Sequence, residues 1–309
     1  MANIPSDDEL VKAATNAGWL LEVEAVKSLE VAGFNTIQGW AYQDPDDNAK
    51  SRELDALGWR PFLAADTVGV AVGVRVLVEC KQSSSPFAFI GRSREDGLWP
   101  DHNDHLWPFK NVALPILDRP DSTASVAAWE TLGFNDIPSS PSRDRFRAGQ
   151  MTKLNRNGNG WNADNAGIFD GLVMPLAKAL RASQVAFNPL DFALAHDSAT
   201  LPNRIPVVAL HFPVVLTSAP LLCIDATLDV PSVTNEPWCT VERRLQTANT
   251  SGHFMIDVVN HEHFAQFLSR RVGAYASEIA DRVRADPRIA THAQRGMFYD
   301  TRTQTLVRA

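Results

Sequence analysis

The chain has 309 residues, 45% of them hydrophobic and 21% charged, an ordinary balance for a globular protein long enough to bury a full core. Its formal net charge of -7 excludes the global electrostatics of a freestanding, sequence-blind DNA binder, whose affinity comes mainly from Lys and Arg on phosphates. Any nucleic-acid contact must then rest on a local patch, a bound cation or a partner. The three cysteines, Cys80, Cys223 and Cys239, are widely spaced and odd in number, which points to a reducing compartment. The first residues, MANIPSDDELVKAATNAGW, have no basic stretch followed by an apolar one, and no run approaches 18 apolar residues. No signal peptide, no membrane contact and a cytoplasmic location are therefore expected.

Ser6-Asp7-Asp8-Glu9 reads as a capping box opening a first helix. A second helix is expected from about Trp19 to Ala32, stopped by Gly33. Phe34–Ile37 reads as a strand, residues 42–51 (YQDPDDNAKS) as a turn, and Arg52–Leu57 as a second strand. Two Val-rich stretches, Thr67–Val72 and Val74–Cys80, follow with Gly73 between them, and the second is apolar enough for a buried central strand. Residues 91–165, rich in Asp, Asn, Pro, Ser and Arg, read as an irregular insertion. Beyond it, a helix is expected over about 166–182, strands over Ile205–Val215, Pro220–Ala226 and Phe254–Val259, and a long helix over about 261–285. One elaborated α/β domain spanning 1–309 is the simplest organisation.

The chemistry-bearing residues cluster early. Side chains alternate across a strand, so in Val78-Glu79-Cys80-Lys81 the acid and the base share one face at the end of a buried run. A carboxylate there can hold a hard divalent cation, and an ammonium beside it can act on a water and on charge developing at a phosphate. A surface Glu–Lys pair at a strand end is the bland alternative. Asp55 stands inside strand-like Arg52-Glu53-Leu54-Asp55-Ala56-Leu57, where propensity disfavours it and a specific use would explain it. At 3.6 residues per turn, Glu22 falls in a stripe with Val26, Leu29 and Gly33 on the apolar side of the second helix, and a carboxylate aimed at a core needs a partner.

An inward Glu on a helix, a strand, an Asp on a second strand and E-x-K closing a third resemble the PD-(D/E)XK, or restriction-endonuclease-like, nuclease superfamily. The matching residues are Gly18 to Phe34, R-E-L-D at 52–55 and V-E-C-K-Q-S-S-S-P at 78–86, a motif core of about 18–90. Leu54 stands where the family's name has Pro. The resemblance implies an α/β fold with a restriction-endonuclease-like core: a mixed central sheet flanked by helices, a long insertion over 91–165, and strands and helices over 166–309 completing it. It implies a divalent-metal-dependent nuclease with catalytic residues Glu22, Asp55, Glu79 and Lys81. Mg²⁺ or Mn²⁺ would be held by Asp55, Glu79, Glu22 and the backbone carbonyl of Cys80. Gln82 would touch nucleic acid. DNA is the expected substrate, in restriction, antiviral defence or repair, with a protein partner or homo-oligomer for targeting. The alternative is a catalytically silent subunit of the same fold.

Outside the motif, Arg143, Arg145 and Arg147 form the compact basic cluster and are candidates for phosphate contact. Asp101, His102, Asp104 and His105 have metal-ligating chemistry, but a solvated loop is the preferred reading. His261-Glu262-His263 reads as a polar helix start, because residues two apart on a helix do not converge. Neither a P-loop nor a G-x-S-x-G elbow occurs.

Overall fold

The computed structural model describes residues 4–94, 106, 113–116, 125–127, 133–186, 207–287, 297–300, 302–303 and 305–308. Helix α1 (Asp7–Ala17) opens with the expected box: the Ser6 N–H donates to Glu9 Oε2 at 2.8 Å and the Ser6 hydroxyl accepts from the Glu9 N–H. Gly18, with φ of +87°, ends α1 and starts α2 (Trp19–Val31) at a sharp corner that suits glycine. The buried line of α2 is Leu21, Ala25 and Leu29.

Strands β1 (Asn35–Asp44) and β2 (Asp47–Leu63) form one long antiparallel hairpin. The turn expected over 42–51 is confined to its tip. The polar residues there read as a loop because one strand of the pair is a sheet edge, where charged side chains stay in water. Asp44 is held within this hairpin by Arg52 and by Lys178 Nζ, at 2.8 Å from Oδ1.

Strand β3 (Ala71–Lys81) is continuous through Gly73. The glycine does not divide two strands; it makes room for the Trp59 ring on β2, which a Cβ at position 73 would overlap at 2.0 Å. Val72 to Val78 are buried without interruption, as expected of a strand covered on both faces.

The remaining strands are β4 (Phe87–Ser93), β5 (Ala113–Pro115), β6 (Ser125–Ala127), β7 (Phe146–Asn157), β8 (Gly160–Asp164), β9 (Val207–Thr217), β10 (Leu221–Asp225), β11 (Ser232–Asn235), β12 (Trp238–Gln246), β13 (Ser251–Asn260), β14 (Met297–Asp300) and β15 (Thr305–Arg308). Two longer helices are interleaved, α3 (Met174–Ala186) after a π-helical turn and α4 (Ala274–Ala285) at the end of a helical run from His261. Residues 146–164 are therefore ordered strands of the main sheet, not irregular insertion. The Asp101–His105 motif lies outside the described residues.

The main sheet runs β1-β2-β3-β9-β13-β12-β7-β4-β10-β11, with β8 beside β7. It is mixed: β3 is antiparallel to β2 and parallel to β9, which is parallel to β13. Thr217 and Leu221 are four residues apart, a span of at most about 14 Å. In a flat sheet their strands would stand roughly 24 Å apart. The sheet must therefore curl, bringing β4 and β10 back toward the ends of β3 and β9. One core packs α2 and α4 against the Val72, Val74, Val76 and Val78 face. The other packs α3, through Leu176, Ala177 and Leu180, against Leu77, Phe87, Phe89 and Val215. The result is an α/β architecture with helices on both sides of a central mixed sheet. Among the described residues, no helix is long and apolar enough to cross a membrane.

Candidate functional site

The site forms where β2 and β3 part company beside α2. Their backbone ladder is registered from Leu63–Val72 to Ala56–Val78 and stops there. Leu54 belongs to the α3-side core and Ala56 to the α2-side core, so strict alternation breaks at Asp55. Beyond the last registered pair, the Asp55 carboxylate replaces a backbone acceptor: the Cys80 N–H donates to Asp55 Oδ2 at 2.6 Å. A residue read as a candidate ligand from its place in a strand and from the motif is thus also the lock between the two strands.

Glu79 emerges on the next step of β3. Burial pushes its carboxyl up to about 8, Asp55 and Glu22 push in the same direction, and Lys81 opposes them. Burial also raises Asp55, against the Cys80 hydrogen bond and with Glu53 adding repulsion. The Glu22 carboxyl is raised by burial, then by Asp55 and Glu53. Four residues from three separated elements therefore act on one another at the carboxyl end of β3, and Lys81 supplies the opposing cation. The Cys80 thiol is held neutral by burial and by the surrounding carboxylates.

Glu22 does not sit at the centre of the helix's apolar stripe. The buried line is one residue out of phase with the expected one, and Glu22 occupies its half-buried shoulder. That position lets the carboxylate reach the Asp55 side while Ala25 and Leu29 fill the core. Gln82 is exposed and lies against the α1–α2 corner, where a Cβ on Gly18 would stand 3.7 Å from the Gln82 Cβ. Lys81 and the residues after it are pinned by a hydroxyl network. The Thr217 hydroxyl donates to the Lys81 carbonyl at 2.8 Å, and the Ser83 N–H donates to Ser218 Oγ at 3.0 Å.

Two participants were not singled out from the sequence. Glu53, two residues before Asp55 on β2, adds a fourth carboxylate whose charge acts on Glu22 and Asp55. Tyr42 donates from its hydroxyl to the Pro175 carbonyl at 2.9 Å and feels the charge of Glu79. It was hidden inside the segment read as a turn.

The arginine cluster does not join this site. It lies at the start of β7, with β9, β13 and β12 between β7 and β3 in the sheet. Arg147 is buried, its guanidinium donating to the Pro141 carbonyl at 3.0 Å and lying 3.5 Å from Glu242, so its side chain is engaged inside the protein and not presented at the surface as a phosphate contact would require. Arg143 and Arg145 are exposed, and Arg143 lies 3.6 Å from Asp136. His261 opens the C-terminal helical run as a polar turn, 3.2 Å from Glu24.

The donor set at Asp55, Glu79 and Glu22 is all carboxylate oxygen, the chemistry of a hard divalent cation. A second positive charge would offset the burial, and the weaker mutual repulsion, that raise all three groups. Among the described residues, no group of three or more His, Cys, Asp or Glu side chains is placed so that it could hold a metal ion. No family model, curated protein or solved structure matches the chain.

Proposed function

We propose that the protein is a divalent-metal-dependent nuclease that hydrolyses phosphodiester bonds, with DNA as its substrate. The observation that supports this reading is the mutual electrostatic influence of Glu22, Asp55, Glu79 and Lys81, drawn from α2, β2 and β3. The order β1-β2-β3-β9, with β9 parallel to β3, belongs to a mixed central sheet flanked by helices, which is what the nuclease reading calls for. The site also lies at the carboxyl ends of parallel strands, where α/β sheets commonly bind ligands.

Asp55 and Glu79 would hold Mg²⁺ or Mn²⁺, with Glu22 and the Cys80 carbonyl completing the set. Such a cation, when bound, lowers the pKa of water and neutralises phosphate oxygens. Lys81, exposed at the strand end, donates hydrogen bonds to the attacking water and to the phosphate oxygen on which charge develops. Water oxygen bonds to phosphorus as the bond to the leaving sugar oxygen breaks; the water releases one proton to solvent and the leaving oxygen takes one up from solvent. Asp55 holds the Cys80 N–H, which fixes the separation of the two carboxylate-bearing strands and orients the groups in advance.

A second reading is a catalytically silent scaffold of the same fold, favoured by the absence of a metal-holding group among the described residues. Closed-circular plasmid and circular single-stranded DNA together separate the two. The nuclease reading expects nicking or linearisation with Mg²⁺ or Mn²⁺ and none with EDTA, and the silent scaffold expects no cutting in any metal.

A further inference from the structure

Around the axis of α2, the side chains leave the core in a fixed sequence. Leu21, Ala25 and Leu29 are buried, Glu22 stands on one shoulder, and Trp19 lies just beyond Glu22 on that same flank, one turn earlier. The Trp19 ring is 63% exposed, although indole is among the side chains that gain most from burial. Gly18, the residue before it, packs on Gln82, which directly follows Lys81. Trp19 is therefore held at the end of β3 that carries the carboxylates. It is the first residue of its helix and has a rigid backbone beneath it.

The charge balance sharpens the question. A chain of net charge -7 lacks the overall positive charge from which a polyanion binder usually draws most of its affinity. Stacking of a base on an aromatic ring supplies affinity without a positive charge, and every base offers a face for it.

We propose that Trp19 is a stacking platform for an unpaired base of the strand whose phosphodiester lies at the Asp55–Glu79–Lys81 site, so that the substrate is single-stranded or locally unpaired nucleic acid. The inference rests on the nuclease reading and specifies its substrate. A base in a duplex is stacked on both sides and offers no free face, so the platform discriminates by strandedness and not by sequence.

The test uses the full chain carrying Lys81→Ala, in MgCl₂, with fluorescence anisotropy of a labelled 12-residue oligothymidine and of its duplex with oligoadenine. Adding Trp19→Ala is expected to weaken single-strand binding by roughly ten-fold or more. Trp19→Phe should keep binding within about three-fold of the parent, because a smaller ring still stacks. Trp161→Ala, at another exposed tryptophan (58%) on β8, should leave it unchanged. Unaltered affinity in Trp19→Ala overturns the platform, as does an equal loss in Trp161→Ala. Conversion of a dimer to a monomer by Trp19→Ala, with affinity unaltered, would instead make the ring a contact with a second copy and also overturn it. Wild-type cleavage is measured in parallel. Metal-dependent cutting with Trp19-independent binding removes the platform and leaves the nuclease. Trp19-dependent binding without cutting removes the nuclease reading alone.

Discussion

The Asp55 carboxylate accepts the Cys80 N–H at 2.6 Å, so one side chain both joins β2 to β3 and faces Glu79 and Glu22. Removing it has two separable consequences. Asp55→Asn retains an oxygen acceptor and should stay close to wild-type stability while losing metal-dependent cleavage. Asp55→Ala leaves a strand N–H without its partner and should lose a further ~1–3 kcal/mol. Urea unfolding in EDTA measures the difference, and an alanine variant at least as stable as the asparagine variant would show that the hydrogen bond does not hold the strands.

Glu79 is a buried carboxyl among other carboxylates, an arrangement that costs stability until a cation is bound. Glu79→Gln should make the metal-free protein more stable by about 1 kcal/mol while abolishing catalysis. It should also remove the metal response: at a hundred-fold excess over Kd, Mn²⁺ would stabilise the wild type by about 2.7 kcal/mol. Thermal unfolding with MnCl₂ or EDTA reads both effects. An equal rise in Tm for wild type and Glu79→Gln would place the metal elsewhere.

Asp44 governs a pH response far from this chemistry. Burial alone would raise its carboxyl, but hydrogen bonds from Lys178, Arg52 and the Asp46 N–H outweigh it and hold the group far below the usual carboxylate range. The folded value lies below the unfolded value of about 3.9. The contribution to stability is therefore complete above about pH 4 and is lost as pH falls toward the folded value. Asp44→Asn should lower stability at pH 7 by about 3 kcal/mol, because it removes the charge that Arg52 and Lys178 share and leaves Lys178 only Asp46, at 3.2 Å. It should also flatten the fall in stability between about pH 4 and pH 2. Urea midpoints across that range check this, and parallel curves for the two proteins would refute it.

The two ends of the arginine cluster should behave differently. Arg147→Ala removes one member of a buried pair with Glu242 and is expected to cost about 3 kcal/mol. Arg145→Ala, at an exposed position, should change stability by less than about 0.5 kcal/mol. Neither should alter the DNA affinity of folded protein by more than about two-fold, since neither is placed at the carboxylate site. A large loss of affinity in Arg145→Ala would extend the substrate path to β7.

Much of the site was legible because its signals are local. Val74–Lys81 announces a buried strand ending in two charges, and Asp55 is conspicuous in a strand. Glu22 was found with the helix phase one residue out, since Leu20, Leu21, Val23, Val26 and Leu29 allow more than one apolar line and only packing chooses among them. Strands rich in polar residues were harder. The charged tip of the β1–β2 hairpin resembles a loop, and β7 and β12 carry FRAGQMTKLNRN and WCTVERRLQ, whose polar residues mask their period. Gly73 was read as a break because the Trp59 ring above it belongs to another strand. Long-range pairs such as Asp44 with Lys178 have no sequence signature, since nothing local joins residues so far apart along the chain.

The most direct measurement of the central claim is the rate of cleavage of plasmid and of circular single-stranded DNA by wild type, Asp55→Asn and Lys81→Ala, each with Mg²⁺, Mn²⁺ and EDTA and each verified as folded. The account predicts cutting by the wild type that requires the metal, and a fall of at least about 100-fold in both variants. Cutting that persists in either folded variant, or in EDTA, would contradict it.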